Sequence, residues 1–212
     1  MVKTIHKYIY EIRVKASDTS LIIGTIHPHR TNQFIVDFFY GNRNSLWSIL
    51  STVFQQYDFE SKNSIIDVLI QNKIWITDII LECERENETV TQDKHLQNLV
   101  LNDDGIRNGI NNSSITTIFF TSGFGKNNAA KLFCDTFNIK PKLNNKREFI
   151  IPKNIFGRSI KGIVLFSPSG QANIGISKNK LYLEQKEKYK SFAKPISKFK
   201  IDFYKNAFIL NL

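Results

Sequence analysis

Four short apolar segments alternate with stretches of helical periodicity over most of this chain. Apolar residues dominate each segment, as in strands that are buried on both faces of a sheet. Strands separated by helices pair in parallel through right-handed crossovers. We therefore predict one α/β domain over residues 1–212, with three layers and a central, mostly parallel four-stranded sheet flanked by helices. The predicted strands are residues 21–26, 74–80, 115–120 and 162–166.

The segments between the strands have the patterns of helices and turns. An apolar stripe over residues 45–57 predicts an amphipathic helix. Residues 102–105, Asn-Asp-Asp-Gly, are typical of a turn. Residues 121–126 lack the spacing of a nucleotide-binding loop and are predicted to form a plain strand-to-helix turn. Further helices are predicted at residues 64–70, 92–101, 127–137 and 178–192.

The chain is strongly basic, with 29 Lys and Arg residues against 19 Asp and Glu and a net charge of +10. Such a charge favours a polyanionic partner, because each neutralised phosphate releases counterions. A soluble basic protein without that partner has the same composition. No apolar run approaches the roughly 18–20 residues of a membrane span, and the N-terminus lacks the apolar core of a signal peptide. We therefore expect a cytoplasmic protein without membrane contact.

The two cysteines, Cys83 and Cys134, lie far apart and form no CxxC motif. With only two cysteines the chain cannot form a four-cysteine zinc or iron–sulfur site. We interpret both as buried free thiols.

Two polar loops follow the first and the last predicted strand. Residues 24–29 read Gly-Thr-Ile-His-Pro-His, and residues 167–173 read Ser-Pro-Ser-Gly-Gln-Ala-Asn. Ligands of open α/β sheets bind outside the carboxyl ends of the strands. We therefore expect both segments, called here the first loop and the closing loop, to lie at the ligand-binding edge of the sheet.

Together with Tyr40-Gly41, Asn44 and Leu46-Trp47, these loops resemble the two active-site motifs of the uracil-DNA glycosylase superfamily. The resemblance is closest to the branch that contains hypoxanthine-DNA and mismatch-specific uracil-DNA glycosylases, and it extends over nearly the whole chain. It implies a monomeric, monofunctional DNA glycosylase of base-excision repair. Such an enzyme hydrolyses the N-glycosidic bond of a deaminated base, uracil or hypoxanthine, flipped out of DNA. Water is the nucleophile, and no metal or organic cofactor is implied.

The resemblance also implies roles for two residues near the first loop. A flipped base loses its stacking neighbours, and Tyr40 would stack on it. A tyrosine packed in a turn or in the core is the alternative. Asn44 would hydrogen-bond the base or orient the attacking water. It is equally placed to cap the following helix.

The first loop departs from the family pattern at its candidate catalytic positions. The more active relatives carry Asp or Asn there to hold water, and the hypoxanthine branch has a Ser after the Pro, whereas this chain has His27 and His29. Each histidine is a candidate for positioning water or for stabilising charge near the sugar, and an ordinary polar loop histidine is the alternative. The backbone amides of Gly24 and Thr25 are candidates for stabilising the departing base.

The closing loop has the residue types of a phosphate-binding turn. Ser167 and Ser169 offer hydroxyl donors, and Gly170 permits close approach of the backbone. Asn173 would face the gap left by the flipped nucleotide. A common strand-exit turn is the alternative.

The basic C-terminal segment, residues 178–212, is either a track for the DNA backbone or a solvated helix face. Its candidate lysines are Lys178, Lys180, Lys186, Lys188, Lys190, Lys194, Lys198 and Lys200. The departure of the first loop also leaves a second functional hypothesis, a catalytically weak or inactive nucleic-acid-binding protein on the same fold.

Overall fold

The computed structural model describes residues 1–42 and 45–212, and its strands form two sheets. The strands are β1 (Val2–Ile5), β2 (Ser20–Gly24), β3 (Ile74–Asp78), β4 (Ile80–Arg85), β5 (Gln97–Leu101), β6 (Thr117–Phe120), β7 (Glu148–Ile151) and β8 (Ile160–Val164). The helices are α1 (Leu46–Val53), α2 (Lys62–Gln71), α3 (Asp103–Asn111), α4 (Ala129–Thr136), α5 (Lys153–Phe156), α6 (Asn173–Ile176), α7 (Lys180–Leu183), α8 (Lys186–Tyr189) and α9 (Pro195–Ile209).

The larger sheet has the strand order β3-β2-β6-β8-β7. The first four strands run parallel, and β7 pairs antiparallel with β8. This sheet confirms the α/β class but corrects the predicted strand number from four to five. The additional strand β7 lies at the sheet edge and is only half-buried, with Ile150 exposed and Ile151 buried. Its apolar run, Phe149–Ile151, is followed directly by Pro152 and is shorter than the runs that mark the predicted buried strands.

The smaller sheet is antiparallel, with the order β1-β4-β5. The predicted strand 74–80 covers β3 and only the first residue of β4, because the chain leaves the larger sheet after Asp78. At this point the backbone amides of Ile79 and Ile80 donate to the carbonyls of Gly24 and Thr25, at 3.0 and 3.1 Å. The end of β3 is thereby held against the start of the first loop.

Residues 92–101 do not form the predicted helix. They form a 3-10 turn over Asp93–His95 and then β5, which pairs with β4. The predicted turn at residues 102–105 is instead the start of α3, where Asp103 and Asp104 lie in the first helical turn. Carboxylates in that position complement the helix dipole, whereas β5 depends on a partner strand that is distant in sequence.

The C-terminal segment packs against the larger sheet through α9. Phe208 stacks on Phe119 of β6, with 4.2 Å between the ring centroids. Before α9, the segment contains the two short helices α7 and α8, where one helical region was predicted. The buried side chains of Tyr182, Tyr189 and Phe199 form a small second core with Phe166. This packing brings the basic segment against the start of the closing loop.

Cys83 and Cys134 are buried free thiols, as predicted. Within residues 1–42 and 45–212, no helix combines the length and the apolar character that a bilayer span requires.

Candidate functional site

A cavity of about 990 Å³ lies outside the carboxyl ends of the parallel strands. The strand order reverses between β2 and β6. The next strand of this sheet along the chain, β3, lies on one side of β2, and the later strand β6 lies on the other side. Such a switch point is where open α/β sheets bind ligands. Both predicted loops line this cavity. Its wall includes Thr25, Ile26, His27, Phe34, Tyr40, Asp78, Asp93, Thr121, Ser122, Lys126, Ser167, Ser169, Gly170 and Gln171.

The first loop is held from behind by Arg85, whose side chain is almost fully buried. Its guanidinium donates to the carbonyl oxygens of His27 and Val90, at 2.9 and 2.7 Å, and to the Thr4 hydroxyl at 3.1 Å. No carboxylate of the described residues pairs with it at ion-pair distance. Arg85 therefore fixes the backbone of the first loop through neutral acceptors.

Both ring nitrogens of His27 are engaged within the protein. Nε2 accepts a hydrogen bond from the Lys7 backbone amide at 2.9 Å, and Nδ1 donates to the Pro28 carbonyl at 2.7 Å. Burial lowers the pKa of the His27 imidazole, which favours its neutral form. His29 contacts the Thr4 hydroxyl at 3.1 Å and does not line the cavity. Catalysis by either histidine stays a prediction.

Tyr40 lies in the cavity wall with a backbone φ of 53°. Its hydroxyl forms a 2.8 Å hydrogen bond with that of Thr121, and its ring packs edge-on against Trp47. Burial raises the pKa of the Tyr40 hydroxyl well above 10, so the group is neutral. A β-carbon at Gly24 would lie 1.9 Å from the Tyr40 hydroxyl oxygen. Gly24 is therefore required for this placement of the tyrosine.

Asp78, at the end of β3, is a buried carboxylate for which the sequence alone predicted no role. Its Oδ2 lies 2.8 Å from His6 Nε2. His6 Nδ1 accepts from the Tyr8 backbone amide at 3.1 Å, so the ring proton on Nε2 donates to Asp78. Oδ1 has no hydrogen-bond partner among the described residues. It borders the same space beside Gly24 as the Tyr40 hydroxyl.

Asp93 is a second cavity carboxyl group that sequence reasoning missed, because its segment was predicted to be helical. The Thr25 hydroxyl donates to Asp93 Oδ2 at 2.9 Å. Burial raises the pKa of Asp93 to about 6, and the Thr25 hydrogen bond and the charge of Arg85 oppose this shift. A carboxyl group with this pKa exchanges protons near neutral pH.

The closing loop is anchored from behind by α9. Lys200 is 4% exposed, and its Nζ donates to the carbonyl oxygens of Ser167, Pro168 and Ser169 at 3.2–3.3 Å. The Tyr204 hydroxyl donates to the Phe166 carbonyl at 2.7 Å. Burial lowers the pKa of Lys200 to about 8. Lys200 is thus neither part of a DNA track nor solvated, which corrects both interpretations of this lysine.

The structure brings most of the predicted site residues together. Gly24 lies beneath Tyr40 and Asp78, whereas Asn173 does not line the cavity and keeps its Oδ1 buried without a partner among the described residues. Asn44, the candidate catalytic amide, lies outside the described residues. The turn after β6 contributes Thr121 and Ser122 to the wall, although it was predicted to be a plain connection. The predicted residues that line the cavity are Thr25, His27, Tyr40, Ser167, Ser169 and Gly170.

No protein-family model matches this chain, and no curated protein is significantly similar to it in sequence.

Proposed function

We propose that the protein is a monofunctional DNA glycosylase with a uracil-DNA glycosylase-like fold. It hydrolyses the N-glycosidic bond of a deaminated base, uracil or hypoxanthine, that is flipped out of DNA during base-excision repair. The observation that carries this proposal is the convergence of the two loops, more than a hundred residues apart in sequence, on one cavity that also contains two aspartates.

The cavity has the size and the wall that a flipped nucleotide needs. Its volume of about 990 Å³ lies at the upper end of the range of small-molecule sites, roughly 300–1,000 Å³. Phe34 and Tyr40 supply aromatic surface, and Thr121 and Ser122 supply hydroxyl groups. An extruded base is held by such a combination of aromatic contact and hydrogen bonding.

The two aspartates supply the chemistry of glycosidic bond cleavage. Water attacks the sugar carbon C1′, and the base leaves with the electron pair of the broken bond through an oxocarbenium-like transition state. Asp93, ionised above pH 6, accepts the proton of the attacking water. The carboxylate of Asp78 stabilises the positive charge on the sugar. Asn44 and the amides of the first loop orient the water and the base.

Positive charge around the closing loop suits a DNA partner. The loop offers Ser167 and Ser169 to phosphates. Exposed lysines of α7 and α8 lie on the C-terminal segment that packs behind it. Backbone contacts of this kind position the duplex without reading its sequence.

Strand cleavage after alkali treatment tests the proposal. Labelled oligonucleotides contain uracil, hypoxanthine, xanthine or thymine opposite each normal base. We expect cleavage at a deaminated base, lost in Asp93→Asn and retained in Asp67→Asn, a control at an exposed aspartate of α2. Absence of cleavage at every lesion would refute the glycosylase.

One observation favours the second candidate, a DNA-binding protein without catalysis. The position at which active relatives hold water carries His27, and both its ring nitrogens are occupied by protein groups. Tight, salt-dependent binding of DNA with no base release, unaffected by Asp93→Asn, would support this function.

A further inference from the structure

A second cavity, of about 210 Å³, lies behind the closing loop. Part of its wall is shared with the larger cavity, because Ser122, Asn128, Ser167 and Ala172 border both. The remaining wall contains Gly123, Arg147, Leu165, Phe166, Gly175, Ile176 and Asn179. A group bound there would therefore lie next to a ligand of the larger cavity.

Arg147 is held rigidly at this second cavity. Its Nε donates to the Val164 carbonyl at 2.7 Å, and its Nη2 lies 3.4 Å from the Leu165 carbonyl. The guanidinium carbon lies 4.3 Å from the centroid of the Phe166 ring. Contacts to two carbonyls and one ring face fix the plane of the guanidinium, and they leave further N–H groups of its fork available.

The charge of Arg147 is not neutralised within the described part of the chain. No carboxylate of residues 1–42 and 45–212 lies within ion-pair distance of it. Burial lowers the pKa of the Arg147 guanidinium, but arginine stays protonated in proteins. A partly buried cation without a counterion is costly, and an anionic ligand would remove that cost.

The rest of the wall also suits an anion. The side-chain oxygen of Asn179 accepts from the Leu181 amide at 3.0 Å, which leaves its NH₂ group as a donor. Asn128 and Ser122 add an amide and a hydroxyl. Gly123 and Gly175 present no side chain, so the backbone can be approached closely.

We propose that the second cavity is a phosphate-binding subsite in which Arg147 binds two phosphate oxygens through its fork. This inference rests on the proposed function for the source of the phosphate, a phosphodiester next to the nucleotide in the larger cavity. Free phosphate has the same chemistry and would occupy the subsite in the absence of DNA.

The matched pair Gly123→Asp and Gly123→Asn tests the subsite without removing Arg147. A β-carbon at position 123 would lie 3.7 Å from Arg147 Nη2 and from Val164, an ordinary contact distance, so both variants are expected to fold. The aspartate would supply the missing counterion and repel phosphate, whereas the asparagine has the same shape without the charge. Arg147→Met removes the cation itself.

Inorganic phosphate is titrated at low ionic strength and followed by chemical shifts of the Arg147 side chain. We expect saturable binding to the unmodified protein and to Gly123→Asn, and at least about tenfold weaker binding to Gly123→Asp. Equal binding by both variants would overturn the subsite.

Binding of an oligonucleotide with an abasic site separates the subsite from the proposed function. We expect Gly123→Asp and Arg147→Met to reduce the salt dependence of DNA affinity by about one phosphate contact. A single methylphosphonate, placed in turn at the phosphates flanking the abasic site, should reproduce this loss at one position. If DNA binds with an unchanged salt dependence in both variants, the subsite does not receive a phosphodiester, whereas the proposed function stands. If phosphate binds but DNA does not, the subsite stands and the proposed function fails.

Discussion

The hydroxyl group of Thr25 donates a 2.9 Å hydrogen bond to Asp93, across 68 residues of sequence. Thr25 follows β2, whereas Asp93 lies in the 3-10 turn before β5. Their contact joins the first loop to the connection between β4 and β5, and it places a carboxyl group with a pKa of about 6 in the cavity.

Replacing Thr25 by valine should raise the pKa of Asp93. The hydroxyl stabilises the ionised form, so its loss favours the protonated form. We expect the acidic limb of the pH–rate profile for base release to move to higher pH in Thr25→Val. Thr25→Ser, which keeps the hydroxyl, should leave the limb in place. Unchanged profiles in both variants would contradict a role for Asp93 as the base.

Asp93→Asn should abolish base release and stabilise the fold. The pKa of Asp93 rises from 3.8 to about 6 on folding, so its favourable contribution is complete below pH 4 and is lost as the pH rises through 6. The ionised group then costs on the order of 2 kcal/mol after allowance for partial exposure. We expect Tm of the variant at pH 7.5 to exceed that of the unmodified protein by about 4–8 °C. The difference should vanish near pH 4, and a lower Tm of the variant at pH 7.5 would be inconsistent with this account.

Lys200→Met should loosen the closing loop. The substitution leaves the carbonyls of Ser167, Pro168 and Ser169 without their buried donor, and an unsatisfied carbonyl costs about 1–3 kcal/mol. We expect faster hydrogen exchange over residues 167–173 and weaker DNA binding, while α9 stays folded through Tyr204 and Phe208. Lys205→Met, at an exposed position of the same helix, is the matched control. Equal exchange in the two variants would argue against the anchor.

Ile174→Ala should weaken binding to duplex DNA more than binding to a single strand. Ile174 follows the closing loop and is 72% exposed, whereas the predicted wedge residue Asn173 is partly buried. An apolar side chain at this position can enter the gap that a flipped nucleotide leaves in the duplex. Because Ile174 is exposed, we expect no change in Tm. Ile209→Ala, at an exposed site in the last turn of α9, should have no effect on either DNA. Equal losses for both DNA forms would exclude a wedge.

Sequence patterns were sufficient for elements whose signal is local. The parallel strands were predicted because β2, β3, β6 and β8 are almost entirely buried and are therefore rich in apolar residues. The helices α1, α2 and α4 were predicted from their own residues in the same way. Strands β1, β4, β5 and β7 were missed, since each mixes polar with apolar residues and has exposed or half-buried positions.

The residues of the candidate site were likewise predictable only where they belong to a local sequence motif. Thr25, Tyr40 and Ser167 were identified because they belong to short local motifs that resemble those of a known family. Asp93 has no motif of its own, and its role depends on the pairing of β5 with β4.

The sequence by itself determined the α/β class, the buried parallel strands and the two loops at their carboxyl ends, because continuous apolar runs and strand-exit residues are local properties. Only the tertiary structure decided which polar groups are buried and what they contact. In the sequence, Lys200 cannot be distinguished from the other lysines of the basic C-terminal segment. The packing of α9 buries it beneath the closing loop. Arg147 has no local motif, and only the pairing of β7 with β8 brings it over the Phe166 ring. Burial and the loss of water set the electrostatics of both groups, and these depend on packing between distant segments.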